Sequence, residues 1–539
     1  MPELTRRRFL QAASASATAV LVGPAIAGRP ARAAAGSFLH GVASGDPLPD
    51  RVILWTRVTP PVNAPRSLSV QWVVATDPEL RRVVARGHLS ADATRDWTVK
   101  VDAGGLRPRT TYYYGFRSRG EESPVGRTRT APAGAIDRIR LAVVTCGDFN
   151  RGLFHAYGRV AERNDLDAVV HLGDYIYEHG RQDRVRPHVP ATELRTLPDY
   201  RARYASYRLD PHLAALHRNH PVIWVWDDHE TANNAWSGGA GGHDPGQDGD
   251  YGLRKAAALG AALEWLPIRS PDPAAPERIY RRLSFGDLAD LMMLDTRRIG
   301  RDKPEPGNVH DDYFRQVGAF VDPRRHLLGA RQERWLTEQL RSSRATWKLI
   351  GNQVVFSPIK LIGAPDATGL SVYANPDQWD GYAPARDRIV AAIKGGPGGK
   401  PVGDVVFLTG DVHASFAFEV ATDPNNPLAY DPTTGDGAIA TELVAPSISS
   451  ASDPGSIDPT DPPGAVERLA LEADHALRLP NPHLKYIESK LNGYLLVDVD
   501  RERVRAEFWH VPFVGRPTDQ QTMSKALLIP KGQARLADA

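Results

Sequence analysis

Hydrophobic and polar positions recur with a period of two along the first long folded stretch of the chain. Between residues 37 and 130, apolar side chains occupy alternate positions in the segments 68–74, 97–101 and 110–116. This period is typical of half-buried strands, and turn residues separate the segments. Helical periodicity is absent here. The pattern therefore predicts an all-β unit over residues 37–130.

The last of these segments places Thr110, Tyr112, Tyr114 and Phe116 on one face of a strand. Residues 106–116 resemble the corner and following strand of a fibronectin type III-like sandwich. We interpret the tyrosines as core and corner residues rather than as part of a binding site.

From residue 136 the pattern changes to short apolar runs separated by helical stretches. Residues 138–145, 167–172, 222–226, 291–294, 347–350 and 405–408 are typical of buried strands. This alternation predicts a C-terminal α/β domain, with β-sheets flanked by helices, over residues 136–539. Residues 131–135 form the predicted linker.

Each of these six runs ends in a polar cluster. The clusters are Cys-Gly-Asp (146–148), Gly-Asp-Tyr-Ile-Tyr-Glu (173–178), Asp-Asp-His-Glu (227–230), Asp-Thr-Arg (295–297), Gly-Asn-Gln (351–353) and Gly-Asp-Val-His (410–413). Asp is common in turns and helix caps, which explains any single cluster. Ligands of α/β sheets bind outside the carboxyl ends of the strands. One shared site therefore explains all the clusters together.

The first 33 residues are typical of a signal peptide. Arg6, Arg7 and Arg8 precede Phe-Leu (9–10), an uncharged, weakly apolar stretch follows, and Ala-Arg-Ala (31–33) has a cleavage pattern. The stretch is shorter than the roughly 20 apolar residues of a spanning helix. The arginines resemble a twin-arginine signal, which implies export of the folded protein by the twin-arginine translocation machinery. A basic tail is the alternative. We expect a secreted or extracytoplasmic protein without a transmembrane segment.

Composition narrows the classes of partner. The 539 residues predict two or more packed units, and 66 Lys and Arg against 64 Asp and Glu leave a net charge of +2. Without a long run of one sign, we predict no specific nucleic-acid-binding module. The single cysteine, Cys146, excludes an intramolecular disulfide and a multi-cysteine zinc site.

The motifs together resemble those of the PhoD-type alkaline phosphatases, in the calcineurin-like metallophosphoesterase superfamily. The likeness rests on Cys in the first motif, GDYIYE in the second, DDHE followed by NN in the third and GDVH in the last. Residues 41–47 and 493–498 resemble the beginning of the family's N-terminal domain and its closing strand. The resemblance covers nearly the whole chain. It implies a secreted alkaline phosphatase or phosphodiesterase that hydrolyses phosphate mono- or diesters at a binuclear or trinuclear metal centre.

One predicted metal shell combines oxygen, sulfur and nitrogen donors. Asp174 is the best candidate to bridge two cations, and Tyr177 lies three residues on, where its hydroxyl points back to the same metal. Cys146 would bind as thiolate, and His413 completes a shell suited to iron. The resemblance implies Fe³⁺, beside which a phenol ionises. If Cys146 is an inert buried thiol, Asp148 is the better ligand.

A second predicted shell contains oxygen donors alone. It uses the other side of Asp174 together with Asp228, Asp411 and an amide of Asn233 or Asn234, of which we favour Asn234. Such a shell favours a hard cation such as Ca²⁺. The resemblance likewise implies calcium beside iron.

His229 directly follows the ligand candidate Asp228. In the wider superfamily this position contacts the phosphate and the leaving oxygen, so the resemblance implies transition-state stabilisation or general-acid help. Asp295 and Arg297 either clamp phosphate or form a buried brace, and Asn352 either binds metal or satisfies a turn. The alternative function is an exported, metal-stabilised phosphate- or surface-binding protein without turnover. Release of p-nitrophenol from its phosphate ester separates the two functions.

Overall fold

The structure is a computed structural model that describes residues 36–270, 272, 274–305, 313–396, 398–450 and 465–539. The predicted signal peptide, residues 1–33, lies outside the described residues. Among the helices described, none combines the length and apolar character that crossing a membrane requires.

The first part of the structure is all-β, as predicted. Its strands are β1 (Val42–Gly45), β2 (Arg51–Arg57), β3 (Ser67–Ala75), β4 (Val83–Asp92), β5 (Thr98–Gly104), β6 (Thr111–Ser118), β7 (Glu121–Glu122) and β8 (Gly126–Arg129). Strands β3, β4, β6, β7 and β8 form one sheet, and β1, β2 and β5 lie at one end of another. Side chains from both sheets, including Leu54 and Tyr114, form one core. The hydroxyl of Tyr112 accepts a hydrogen bond from the Arg107 backbone N at 2.8 Å, a tyrosine-corner contact.

The second part alternates strands and helices. Its strands are β9 (Arg138–Val144), β10 (Ala168–His171), β11 (Pro221–Trp224), β12 (Ala235–Trp236), β13 (Gly239–Ala240), β14 (Arg281–Phe285), β15 (Ala289–Met293), β16 (Trp347–Gly351), β17 (Lys360–Ile362), β18 (Val372–Tyr373), β19 (Val405–Thr409), β20 (Ser415–Ala421), β21 (Ala438–Val444), β22 (Leu484–Glu488), β23 (Asn492–Asp500), β24 (Arg503–Val511), β25 (Thr522–Pro530) and β26 (Ala537–Asp538). The helices are α1 (His155–Ala161), α2 (Leu197–Arg208), α3 (Pro211–Asn219), α4 (Pro245–Asp248), α5 (Tyr251–Trp265), α6 (Gly329–Ser342), α7 (Ala383–Ile393) and α8 (Ala465–Arg478).

Two large sheets share one hydrophobic core. The ten-stranded sheet has the order β26-β25-β24-β23-β9-β10-β11-β1-β2-β5, and the seven-stranded sheet has the order β14-β15-β16-β19-β21-β20-β22. Strands β9, β10 and β11 run parallel, as do β15, β16, β19 and β21. Val143 and Val170 of the first sheet pack in the same cluster as Leu349 and Val406 of the second. The predicted strand runs of this part therefore all form, divided between two sheets.

The β-rich first part is continuous with the larger sheet. Strand β1 pairs in parallel with β11, with Ser44 opposite Pro221. All four residues of β1 are buried, so its backbone groups need partners on both sides, and β2 and β11 provide them. The predicted fold class is confirmed. The division of the chain at residues 131–135 stays a prediction.

Candidate metal centre

The candidate site lies where parallel strands of both sheets end. Cys146 follows β9, Asp174 follows β10, and Asp411 and His413 follow β19 of the second sheet. Cys146, Asp174 and His413 each offer a ligand atom within 4.8 Å of the others. The face-to-face packing of the two sheets thus brings three predicted ligands together from separate parts of the chain.

Several site residues adopt a left-handed backbone that side chains other than glycine rarely take. The φ angles are 57° at Cys146, 53° at Asp174, 54° at Asn234, 66° at Asp411 and 58° at His413. Such conformations raise the energy of the backbone and cluster at functional sites. They turn the chain sharply at each strand end, which positions the side chains for the site.

Gly173 is required by the close approach of two strand ends. Its φ is 104°, and a Cβ atom there would lie 2.3 Å from the backbone N of Asp227. Only glycine fits this contact. The glycine of the second motif therefore allows Asp174 and the Asp227–Asp228 pair to lie side by side.

The hydroxyl of Tyr177 lies inside the first ligand group. It donates a hydrogen bond to Asp174 Oδ2 at 3.0 Å and lies 3.2 Å from His413 Nε2. Ser450 Oγ donates to the same hydroxyl at 2.6 Å. Burial raises the pKa of the Tyr177 phenol well above its ordinary value. Without a nearby cation the phenol stays neutral, whereas a trivalent cation favours its anion.

A second group of ligand atoms consists of carboxylates. Asp227, Asp228 and Asp411 offer oxygens within 4.8 Å of one another, and Asp174 groups in the same way with Asp228 and His229. The backbone N–H of Asn234 donates to Asp228 Oδ2 at 2.5 Å. Asp174 thus belongs to the first group and to a group that shares Asp228 with the carboxylates, and its bridging of two cations stays a prediction.

Arg297 is the buried cation of the second group. Its guanidinium lies 2.7 Å from Asp411 and 3.6 Å from Asp228, and it also contacts Asp227 and Asp377. Arg297 thus forms ion pairs with these carboxylates and not with the side chain of Asp295. Its positive charge offsets part of the negative charge of the second group.

Asp295 and Asn352 have structural roles at their strand ends. Asp295 Oδ1 accepts hydrogen bonds from the backbone N–H groups of Arg297 and Arg298, so it stabilises a turn. The amide of Asn352 donates to the Val354 carbonyl at 2.5 Å and accepts from the indole of Trp379 at 3.2 Å. Of the two roles predicted for Asn352, these contacts support the one in which its side chain satisfies a turn.

The carboxylate groups fit bound cations. Burial raises the pKa of Cys146, Asp174 and Asp227 well above their ordinary values, because ionised groups are unfavourable away from water. Asp227 Oδ2 and Asp228 Oδ1 are buried and lack a hydrogen-bond partner among the described residues. Cations would pair with these oxygens and favour the ionised ligands. The mixed donors of one group and the oxygens of the other match the two predicted shells.

His229 is paired with a carboxylate that sequence reasoning did not single out. Its Nδ1 lies 2.6 Å from Glu178 Oε2, and Glu178 Oε1 accepts from the Asn233 backbone N. Burial lowers the pKa of His229, but Glu178, Asp174 and Asp228 outweigh burial and raise it well above 6.5. Glu178 therefore fixes the orientation of the His229 ring through Nδ1.

Glu230 is a second acidic residue that the motif contained but the sequence analysis left without a role. Its carboxylate accepts hydrogen bonds from the backbone N–H groups of Asp174, Tyr175 and Asp227, at 3.1, 2.7 and 2.8 Å. These contacts join the ends of β10 and β11. The place of Glu230 in the Asp-Asp-His-Glu motif was a sequence signal that could have identified it. No such signal pointed to Ser450, because it is 273 residues from its partner Tyr177.

Comparisons with known proteins agree with this geometry. The PhoD-like phosphatase family matches residues 141–508, and the N-terminal domain of PhoD-like phosphatases matches residues 23–132. Alkaline phosphatase D of Bacillus subtilis (strain 168) is 36% identical over 496 residues, which cover 89% of this chain and 78% of that protein. A solved structure described as the structure of PhoD is 33% identical, with a TM-score of 0.81, and the match covers 94% of this chain and 92% of that one.

The chain belongs to the PhoD-like phosphatase family. It is a metal-dependent phosphatase, an enzyme that hydrolyses phosphoric esters. The alternative of a binding protein without turnover is therefore set aside. The predicted family resemblance, fold class and enzyme class are confirmed.

Proposed function

We propose that this PhoD-like phosphatase holds ferric iron and calcium side by side and hydrolyses phosphate mono- or diesters outside the cytoplasm. The observation that carries the proposal is the shared carboxylate of Asp174. Its ligand atoms lie within 4.8 Å of those of Cys146 and His413 in one group and of those of Asp228 and His229 in another. A carboxylate between two donor sets of different chemistry suits two different cations.

Ferric iron would be held by Cys146, Asp174, Tyr177 and His413. The supporting observation is the hydroxyl of Tyr177, which lies 3.0 Å from Asp174 and 3.2 Å from His413. Thiolate, phenolate and imidazole donors suit iron and do not suit calcium or magnesium. Ser450 would remain as a hydrogen-bond donor to the phenolate oxygen.

Calcium would be held by Asp174, Asp228 and Asp411, with the amide of Asn234 as a further oxygen ligand. Arg297 lies 2.7 Å from Asp411 and so orients this carboxylate as well as offsetting part of its charge. An oxygen-only shell favours a hard cation. Bound in these two shells, the cations supply the positive charge that stabilises phosphoryl transfer and activates the attacking water.

His229 would stabilise the transition state and donate a proton to the leaving oxygen. Its Nδ1 is engaged by Glu178 at 2.6 Å, which leaves Nε2 as the nitrogen that faces a substrate. The neighbouring carboxylates favour the protonated ring, the form that a general acid requires. Glu178 thus acts as a positioning residue for His229.

The proposed location rests on residues 1–33, with their consecutive arginines, Arg6 and Arg7. They would direct the folded precursor to the twin-arginine translocation machinery. Residues 37–130 would form the N-terminal β-sandwich and residues 136–539 the catalytic domain of the exported enzyme.

Metal analysis combined with hydrolysis of p-nitrophenyl phosphate and bis(p-nitrophenyl) phosphate tests the proposal. We expect the purified enzyme to contain iron and calcium. Cys146→Ala should lose iron and Asp228→Asn should lose calcium, and both variants should also lose activity. His88→Gln is the control, because His88 is exposed on β4. An active enzyme free of iron and calcium would contradict the proposal, as would both variants keeping both metals.

A further inference from the structure

A separate group of metal-ligating side chains lies next to the proposed centre. Asp148, His179 and His188 each offer a ligand atom within 4.8 Å of the others. His179 Nε2 lies 3.4 Å from Asp148 Oδ2, and His188 Nε2 lies 3.3 Å from Asp148 Oδ1. None of the three belongs to the two metal shells proposed above.

The backbone around this group holds each side chain in place. Asp148 Oδ1 accepts a hydrogen bond from the Asn150 N–H at 2.9 Å, and Ser449 Oγ donates to the Asp148 carbonyl at 2.8 Å. His188 Nδ1 lies 2.7 Å from the carbonyl oxygen of His179. This contact requires the proton on Nδ1, because a carbonyl only accepts. Nε2 is therefore the ring nitrogen that faces Asp148.

The carboxylate of Asp148 faces both imidazoles. His188 Nε2 and Asp148 Oδ1 are 3.3 Å apart, and a cation bound between the carboxylate and the two rings would be within reach of all three side chains. Asp148 is 1% exposed, and its Oδ2 has no hydrogen-bond partner among the described residues. His179 Nδ1 likewise lacks one in the part of the chain that the structure describes.

Arg151 is a positively charged neighbour of the group. Its Nε is 3.6 Å from Asp148 Oδ2, on a side chain that is 30% exposed, and an ion bound at this oxygen would take the place of the guanidinium. The Tyr207 hydroxyl is 3.4 Å from His188 Nε2, beyond a good hydrogen bond. Two ligands that lie about 2.0–2.1 Å from one tetrahedral zinc ion are roughly 3.3–3.4 Å apart. Each histidine lies at such a separation from one oxygen of Asp148, His188 from Oδ1 and His179 from Oδ2.

We infer that Asp148, His179 and His188 form a further site for a divalent transition metal of the Zn²⁺ class. Two imidazoles and one carboxylate suit such an ion and leave a fourth position open. Calcium and magnesium prefer oxygen donors and fit the group poorly. The ring of His179 lies 5.6 Å from that of Tyr177 and 6.4 Å from that of His229, so this ion would be a neighbour of the catalytic centre.

The test compares zinc uptake by the wild type, two site variants and one control variant of the full-length enzyme. After removal of weakly held metals, the wild type, His179→Gln and the control His88→Gln are dialysed against Zn²⁺ and analysed for bound metal. We expect the wild type and the control to take up one zinc ion more than His179→Gln. Asp148→Asn keeps the shape of the side chain and should lose the same ion. Equal zinc uptake by all four proteins would overturn the inference.

Zinc K-edge X-ray absorption separates zinc in the proposed site from zinc bound at Cys146 without relying on a variant. Zinc in the proposed site would show nitrogen and oxygen neighbours at about 2.0–2.1 Å and no sulfur. Zinc bound at Cys146 would instead show a sulfur neighbour at about 2.3 Å. If every bound zinc has a sulfur neighbour, the inference is wrong. The sulfur signal also keeps this result separate from any failure of the iron and calcium proposal.

Discussion

Replacing Tyr177 with Phe is the sharpest perturbation of the proposed iron site. A phenolate on ferric iron has a filled orbital close in energy to an empty metal level, so visible light transfers charge from ligand to metal. The wild-type enzyme should therefore look violet to blue and bleach on reduction, as the acceptor level fills. Tyr177→Phe removes the oxygen that lies 3.0 Å from Asp174 and 3.2 Å from His413. The absorption band should disappear.

The size of the accompanying loss follows from these contacts. Loss of a group that only orients a metal ligand typically lowers metal affinity or activity about 10- to 100-fold. Because Tyr177 would bind the iron directly, we expect iron retention and kcat/KM to fall by at least about 100-fold. The variant also leaves the Ser450 hydroxyl without its contact to Tyr177, which stood at 2.6 Å.

Tyr175→Phe is the matched control, since it removes a buried tyrosine hydroxyl two residues away. That hydroxyl contacts His217 Nε2 at 2.8 Å and has no contact with the ligand groups described above. We expect a loss of about 1 kcal/mol of unfolding free energy and an unchanged absorption band. Absorption spectra, bound iron and p-nitrophenol release are measured on all three proteins. A colourless but fully active wild type, or an unchanged band in Tyr177→Phe, would refute the iron–tyrosinate assignment.

Three further predictions concern calcium, the proton donor and export. Chelation of calcium should abolish p-nitrophenol release and added calcium should restore it, because Asp228 and Asp411 lose their cation; full activity of calcium-free enzyme contradicts this. Glu178→Gln removes a carboxylate that raises the pKa of His229, so the decline of activity at alkaline pH should begin at a lower pH in the variant than in the wild type. An unchanged pH profile argues against proton donation by His229. Lys at both Arg6 and Arg7 should keep the precursor inside the cell, and unchanged secretion would eliminate the twin-arginine interpretation.

The sequence was sufficient for those features that depend on local pattern. Alternation with a period of two identified β3, β5 and β6 of the first part, and polar clusters after apolar runs identified the strand ends of the second part. Cys146 and Asp174 follow parallel strands of one sheet, whose carboxyl ends meet at one edge, so a shared site for these two could be predicted from the sequence. His413 follows β19 of the other sheet, and the packing of the two sheets brings all three ligand atoms within 4.8 Å of one another.

Tertiary structure alone decided which distant groups complete the site. Periodicity shows where a strand lies but contains no information on the order of strands in a sheet. The joining of β1 to β11 was therefore not predictable. Arg297 lies two residues from Asp295, yet its side chain contacts Asp411, which is 114 residues away. Ser450 reaches Tyr177 and His188 reaches Asp148 in the same way, through the packing of loops whose paths depend on the assembled sheets.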